Sequence, residues 1–214
     1  MRIAYIAQDR PDLSEAVKCL SQKMSNPREG HLSLLKRVAR YLRHRPRMVL
    51  EYRKQDPRLA RLLRVHVDSD WAGDLVSRRS TSGMVIKRGE HVVKHSATLQ
   101  AVIGLSSAEA EYYALCKGAC QALGTQAALA DLRLECTIEL YSDSSSARAL
   151  ASRRGLGKIR HVETRFLWLQ ERIARKHLNL RAVKGTDNVA DLLTKALSEA
   201  KIRQYCEALG MRVP

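Results

Sequence analysis

Residues 62–97 read LLRVHVDSDWAGDLVSRRSTSGMVIKRGEHVVKHSA. The segment LLRVHVDSDW reads as a strand, and TSGMVIKRG followed by EHVVKHSA reads as a hairpin turning near Arg88-Gly89. Three consecutive strands predict an antiparallel meander. Beyond it the period changes. A helix is expected from near Ser106 past Ala122, CTIELYSD supplies a fourth strand ending in Asp143, and Ser144 opens a short helix. Residues 158–177 read as a basic helix and LNLRAVKG as a fifth strand. A last helix is expected from Thr186 or Asp187 through LLTKAL. The predicted class is α/β: a five-stranded mixed sheet, three antiparallel strands and then two parallel additions, flanked by helices.

Upstream, residues 12–24 and 30–44 place apolar residues such as Leu32, Leu35, Val38, Ala39 and Leu42 at helical spacing between Lys and Arg. This predicts an N-terminal helical basic segment over residues 1–61 and a main domain over 62–214. Residues 1–63 hold 15 basic and 6 acidic side chains, a net +9 out of +16 for all 214 residues. With a pI near 10.1, the chain attracts polyanions over long range, nucleic acid first among them. Charge alone would never identify an enzyme. Five cysteines, none in a Cys-x-x-Cys pair, fit reduced thiols in an intracellular setting, cytoplasm or nucleus. Cys116 and Cys120, four apart, read as small buried residues rather than ligands. The opening MRIAYIAQDRP reaches Pro11 too soon for a signal-peptide core. No apolar run approaches the roughly 18 residues of a membrane span, so a soluble protein is expected.

Four carboxylates fall at element ends: Asp68 late in the first strand, Glu111 on the first core helix, Asp143 ending the fourth strand and Asp191 opening the last helix. If strands one and four pair in parallel, Asp68 and Asp143 become neighbours beyond the strands' carboxyl ends, where open sheets gather ligands. Two carboxylates about 4 Å apart repel by roughly 4 kcal/mol at an effective dielectric near 20, so an ionised cluster needs cations. Magnesium or manganese is the natural choice. Singly, Asp191 would complement a helix dipole, Asp143 would cap a helix, and Asp68 would be an exposed strand residue. Together, on strand, helix, strand and helix in that order, they read as a metal site. Glu109 lies three residues after Ser106, the spacing of a capping box, and that explains it. Glu111 lacks that explanation. It shares a face with Ala108, Leu115, Gly118 and Ala122, small enough to pack closely on a sheet and aim it at the strand ends. Two metal ions held there would hydrolyse a phosphodiester.

Arg78, Arg79, Ser80, Thr81 and Ser82, in the loop before Met84, are candidate phosphate donors, as are Lys158, Arg160 and Lys184. Residues 153–177 carry eight Lys or Arg against Glu163 and Glu171, a phosphate-tracking excess. Trp71, Tyr112 and Trp168 read as packing residues, because so few aromatics do not make a single-strand binder.

The blocks VDSDWAGD, RRSTSG, LSSAEAEYYAL, YSDSSSA and VKGTDNVADLLTKAL resemble, in this order and spacing, the ribonuclease H domain of copia-type LTR retrotransposon Pol polyproteins. The upstream RPDLSEAVKCLSQKMSNPREGHLSLLKRVARYL resembles the stretch that joins reverse transcriptase to ribonuclease H in those polyproteins. The resemblance implies an RNase H-like fold, two Mg2+ ions with Mn2+ able to substitute, and Asp68, Glu111, Asp143 and Asp191 as both catalytic and metal-binding residues. It also implies an RNA–DNA hybrid as substrate and a reverse transcriptase domain as partner. Two departures stand out. KGTDNVAD holds none of the histidine that many cellular ribonucleases H carry before the last aspartate, and Asn188 is a weak stand-in. The polymerase signature, a pair of aspartates after Tyr-x, is absent, so reverse transcription by this chain alone is not expected. A reading from another class is a domesticated, catalytically silent module that holds nucleic acid through its basic faces. A nuclease of the same fold with another substrate, integrase-like or junction-cleaving, is disfavoured by the copia-like blocks.

Overall fold

In the computed structural model, which describes residues 2–155, 157 and 161–213, the chain opens with helices α1 (Arg2–Ile6), α2 (Ser14–Ser21) and α3 (Glu29–His44) and a short strand β1 (Val49–Leu50). There follow β2 (Leu62–Asp70), β3 (Thr81–Arg88), β4 (His91–Leu99), α4 (Ser107–Asp131), β5 (Thr137–Ser142), α5 (Ser145–Ser152), α6 (Trp168–Ala174), β6 (Asn179–Ala182), α7 (Glu199–Ala208) and β7 (Met211–Arg212). The main sheet has the order β4-β3-β2-β5-β6. The pairs β2–β3 and β3–β4 are antiparallel, while β5 runs parallel to β2 and β6 parallel to β5. This is the five-stranded mixed sheet of the RNase H-like fold, with strand identities and directions as the sequence predicts.

The alternation in β2 puts Leu63, Val65 and Val67 on one face, all fully buried with Ile138 and Leu140 of β5. Helix α4 covers them. Its first turn is fixed by Ser106, whose Oγ accepts the Glu109 N–H (3.2 Å). Close approach depends on Gly118, where an added Cβ would stand 2.4 Å from Val67 Cγ1. Gly118→Ala therefore overpacks the layer next to Asp68, and thermal melting is expected to show a loss of about 1–3 kcal/mol. The opposite face, around Val85 of β3, is covered by Val189, Leu192 and Leu193 and by Tyr205 of α7.

The N-terminal helices dock on this body. Ser14 and the Gln8 carbonyl both contact His95 of β4 (each 2.9 Å). Because a carbonyl only accepts, His95 Nε2 carries the proton and Nδ1 accepts from the Ser14 hydroxyl. Lys18 donates to Thr81 Oγ1 (2.8 Å), and β1 pairs with β7. No helix among the described residues is long and apolar enough to cross a membrane.

Two predicted helices differ. Among the described residues of 158–177, only Trp168–Ala174 is α-helical, preceded by a 3-10 turn at Thr164–Phe166. Upstream, Gly155 and Gly157 adopt φ of 77° and 58°, backbone that L side chains avoid. The expected helix over 186–197 is instead a pair of 3-10 turns, Gly185–Asp187 and Val189–Leu193. Between them the Asn188 side chain donates to the Val67 carbonyl (2.9 Å) and accepts from the Ala190 N–H (3.3 Å), pinning the segment to β2 in place of a longer helix. The α-helix of this region is α7, capped by Ser198.

Candidate metal centre and nucleic-acid interface

The parallel register of β2 and β5 pairs His66 with Tyr141, so the chain two residues further on brings Asp68 beside Asp143. Glu111, in the second turn of α4, faces the same strand ends. One carboxylate oxygen from each of Asp68, Glu111 and Asp143 lies within 4.8 Å of the other two. Asp68 and Glu111 are buried, and Asp143 is half-buried.

These carboxylates differ in how they are held. Glu111 Oε1 accepts the Ser69 N–H (3.1 Å), while Oε2 is buried without a hydrogen-bond partner among the described residues. Burial, then the charges of Asp68 and Asp143, push the Glu111 carboxyl up to about 9. Burial also raises Asp68, against the opposing pull of Lys195 and Thr194. A group with a buried, unpartnered carboxylate oxygen and three oxygens converging on one point matches the donor set of hard divalent cations. Asp68, Glu111 and Asp143 thus fit a divalent cation.

Asp191 stands beside the other three and does not share their point of convergence. It lies in the 3-10 turn Val189–Leu193, where its Oδ1 accepts from Lys195 Nζ (2.8 Å) and its Oδ2 from the Tyr205 hydroxyl (3.2 Å). Lys195 also reaches Asp68 Oδ1 (3.1 Å), and the Thr194 hydroxyl donates to Asp68 Oδ2. Thr194, Lys195 and Tyr205 escaped the sequence reading. The Asp191-to-Lys195 spacing of four residues was a visible signal, since such pairs share a face of a helical turn.

Glu109 has a structural occupation. Its oxygens accept from the Tyr113 hydroxyl, the Leu105 N–H (3.0 Å) and His161 Nε2 (2.8 Å). The reciprocal bond of the expected capping box goes to Leu105 rather than Ser106. This leaves Glu111 as the glutamate that meets the aspartates.

The expected phosphate contacts divide. Arg78 and Arg79 are exposed, with Arg78 at a φ of 56° in the tight turn that Asp74 organises by accepting the Val76 N–H (3.2 Å). Ser80, Thr81 and Ser82 do not fit the same role, because they are buried with their hydroxyls engaged inside the protein. Ser80 Oγ accepts the Ala72 N–H (3.0 Å), Thr81 Oγ1 accepts from Lys18, and Ser82 Oγ accepts from Gln100 Nε2 (2.9 Å). Lys184 is exposed and precedes Gly185, where a Cβ would stand 3.3 Å from Asp143 Oδ2. Lys158 and Arg160 lie outside the described residues. Asn188 is fully buried and bonded to β2, so it does not substitute for a loop histidine. Tyr112 is buried as expected, but Trp71 is 53% exposed, with its indole N–H donated to the Gly104 carbonyl (2.9 Å). Of the cysteine pair, Cys116 is buried and Cys120 exposed.

No protein-family model matches this chain. The chain is 31% identical over 216 aligned residues to the retrovirus-related Pol polyprotein from transposon RE1 of Arabidopsis thaliana, a match covering 99% of this chain and 14% of that protein. It is 29% identical over 204 residues to the retrovirus-related Pol polyprotein from transposon TNT 1-94 of Nicotiana tabacum, covering 94% of this chain and 15% of that protein. The chain thus spans about one seventh of the length of these relatives. Among solved structures it is similar to a foamy viral protease-reverse transcriptase in complex with dsDNA, with TM-score 0.52 and 17% identity over 86% of this chain and 36% of that one.

Proposed function

We propose, for a chain that belongs to the retrovirus-related Pol polyproteins of transposons, that it hydrolyses the RNA strand of RNA–DNA hybrids as a copia-type ribonuclease H. The observation that carries this reading is the convergence of Asp68, Glu111 and Asp143 at the carboxyl ends of β2 and β5, with one glutamate oxygen buried and unpartnered. Asp68, Glu111 and Asp143 would hold one of two Mg2+ ions, or Mn2+ in its place, and Asp68 with Asp191 the other. When bound, these ions supply Lewis-acid activation of water and neutralise charge building on the phosphate and the leaving oxygen.

The chain's own residues orient that machinery. The Ser69 amide fixes one oxygen of Glu111, Thr194 fixes one of Asp68, and Tyr205 fixes one of Asp191. Arg78 and Arg79 lie exposed on the loop from β2 to β3 and Lys184 on the loop after β6, next to Gly185 beside Asp143, and they contact backbone phosphates. Contacts to the 2′-hydroxyl distinguish RNA from DNA. Residues 1–61 act as a basic connection segment that lengthens the electrostatic footprint next to a reverse transcriptase domain.

The test is cleavage of a labelled hybrid in Mg2+ and in EDTA, beside single-stranded RNA and duplex DNA. Cutting confined to the hybrid and abolished by EDTA is expected, whereas cutting that persists in EDTA would contradict the reading. A second measurement checks the phosphate contacts. Arg79→Ala is expected to weaken hybrid binding uniformly across sequences and to reduce the slope of log K against log salt by about 1.

A further inference from the structure

The two halves of the carboxylate cluster are electrostatically unlike. Around Glu111 and Asp143, the buried Glu111 Oε2 has no hydrogen-bond partner among the described residues. Around Asp68 and Asp191, Lys195 Nζ sits between the two carboxylates, 3.1 Å from Asp68 Oδ1 and 2.8 Å from Asp191 Oδ1. Its side chain is 40% exposed, so the ammonium enters from the solvent edge and can leave by the same route without unpacking the core. The carboxylates it bridges are tied from behind, Asp68 by the Thr194 hydroxyl and Asp191 by the Tyr205 hydroxyl. They are therefore held near one another whether or not the ammonium is between them.

We infer that Lys195 is an internal counter-ion that makes the two ion positions of the centre unequal. A divalent ion binds Asp68, Glu111 and Asp143 directly, and a second ion at Asp68 and Asp191 binds only by displacing the Lys195 ammonium. The argument is one of charge and place. An ammonium 2.8–3.1 Å from two carboxylates already supplies the cation they need, and a divalent ion using the same oxygens meets its repulsion at short range. Lys is suited to such a role because its charge rides on a flexible stem. Lys195 is thereby a positioning residue that sets the order of ion loading, and the nuclease is complete only when something draws the ammonium away. A phosphate of the substrate, arriving at the exposed side of the lysine, has the charge to do so. The inference rests on the metal-centre reading given above.

The experiment is calorimetric titration of the full chain with Mn2+, without nucleic acid, for the wild type, Lys195→Met and Lys195→Arg. The wild type is expected to bind one ion, with any second at least tenfold weaker. Lys195→Met should gain at least tenfold in affinity for the second ion while the first changes by less than threefold. Lys195→Arg, which keeps the charge, should behave as the wild type. Thermal melting gives a second readout. Metal-free Lys195→Met should melt below the wild type, because Asp68 and Asp191 then face each other without a cation, and Mn2+ should raise its melting temperature by more than it raises the wild type's. Equal second-ion affinity in wild type and Lys195→Met would overturn the counter-ion role and leave the metal centre standing. No ion bound by any of the three would overturn the metal-centre reading itself, and the inference with it.

Discussion

Asp143→Asn is expected to retain hybrid binding within a few-fold and to lose cleavage by about 1,000-fold or more, equivalent to at least about 4 kcal/mol of barrier. Asp143 directly follows β5, half-buried beside Asp68, at the point on which three carboxylate oxygens converge. The amide keeps the shape of the side chain and removes the negative charge that holds an ion. Binding persists because affinity for a polyanion comes from the basic surface, and the chain carries a net +16. The fold persists too, since a neutral side chain relieves the repulsion that Glu111 feels from Asp143. Cleavage and filter binding on the same preparation check this. Joint loss of both would assign Asp143 to folding, and cleavage at the wild-type rate would remove it from the centre.

Glu111→Gln is expected to stabilise the metal-free protein and to abolish its stabilisation by Mg2+. Burial and the neighbouring aspartates push the Glu111 carboxyl up to about 9 in the folded chain, from an ordinary value of 4.5. The fold therefore favours the protonated form. That contribution is fully present below 4.5 and is lost as pH rises toward 9, because the unfolded chain ionises freely while the folded one does not. One pKa unit is worth about 1.4 kcal/mol, so at pH 7 the metal-free wild type is less stable than a neutral isostere by up to about 3 kcal/mol. For a chain of this size that corresponds to up to about 10 °C in Tm. Melts in EDTA from pH 4 to 8.5 should show the gap between variant and wild type widening with pH, and Mg2+ should narrow it by raising only the wild type. A gap that does not change with pH would mean that Glu111 is ionised without a metal.

The strands and their directions were legible because β2 to β5 are dense in Val, Ile and Leu between clear turn residues, and because a meander followed by a β-α-β run leaves few ways to order five strands. The position of Glu111 was legible for a related reason. Ser106 fixes where α4 begins, and the small residues on its face, Gly118 above all, fix which side meets the sheet. The region after Asn188 was less legible. LLTKAL carries a helical pattern, but the pattern does not encode the tie from Asn188 to the Val67 carbonyl that shortens it to 3-10 turns. Residues 158–177 carry the charge pattern of one solvated helix, but residues spread from Val162 through Phe166 and Leu169 to Ile173 pack into the core, and α6 takes up only Trp168–Ala174 of the described part. Hydroxyls of Ser80, Thr81 and Ser82 looked like surface donors in the one-dimensional text. The Ala72 amide, the docking of α2 and the path of Gln100 turn them inward.

Strand-specific cleavage tests the central claim most directly. Two hybrids of one sequence, one labelled on RNA and the other on DNA, are incubated with the wild-type chain in Mg2+ at moderate salt. The account predicts products from the RNA-labelled hybrid alone. Tight binding with both strands intact would contradict it and make the chain a nucleic-acid-binding module, and scission of the DNA strand would assign its carboxylates to a different nuclease.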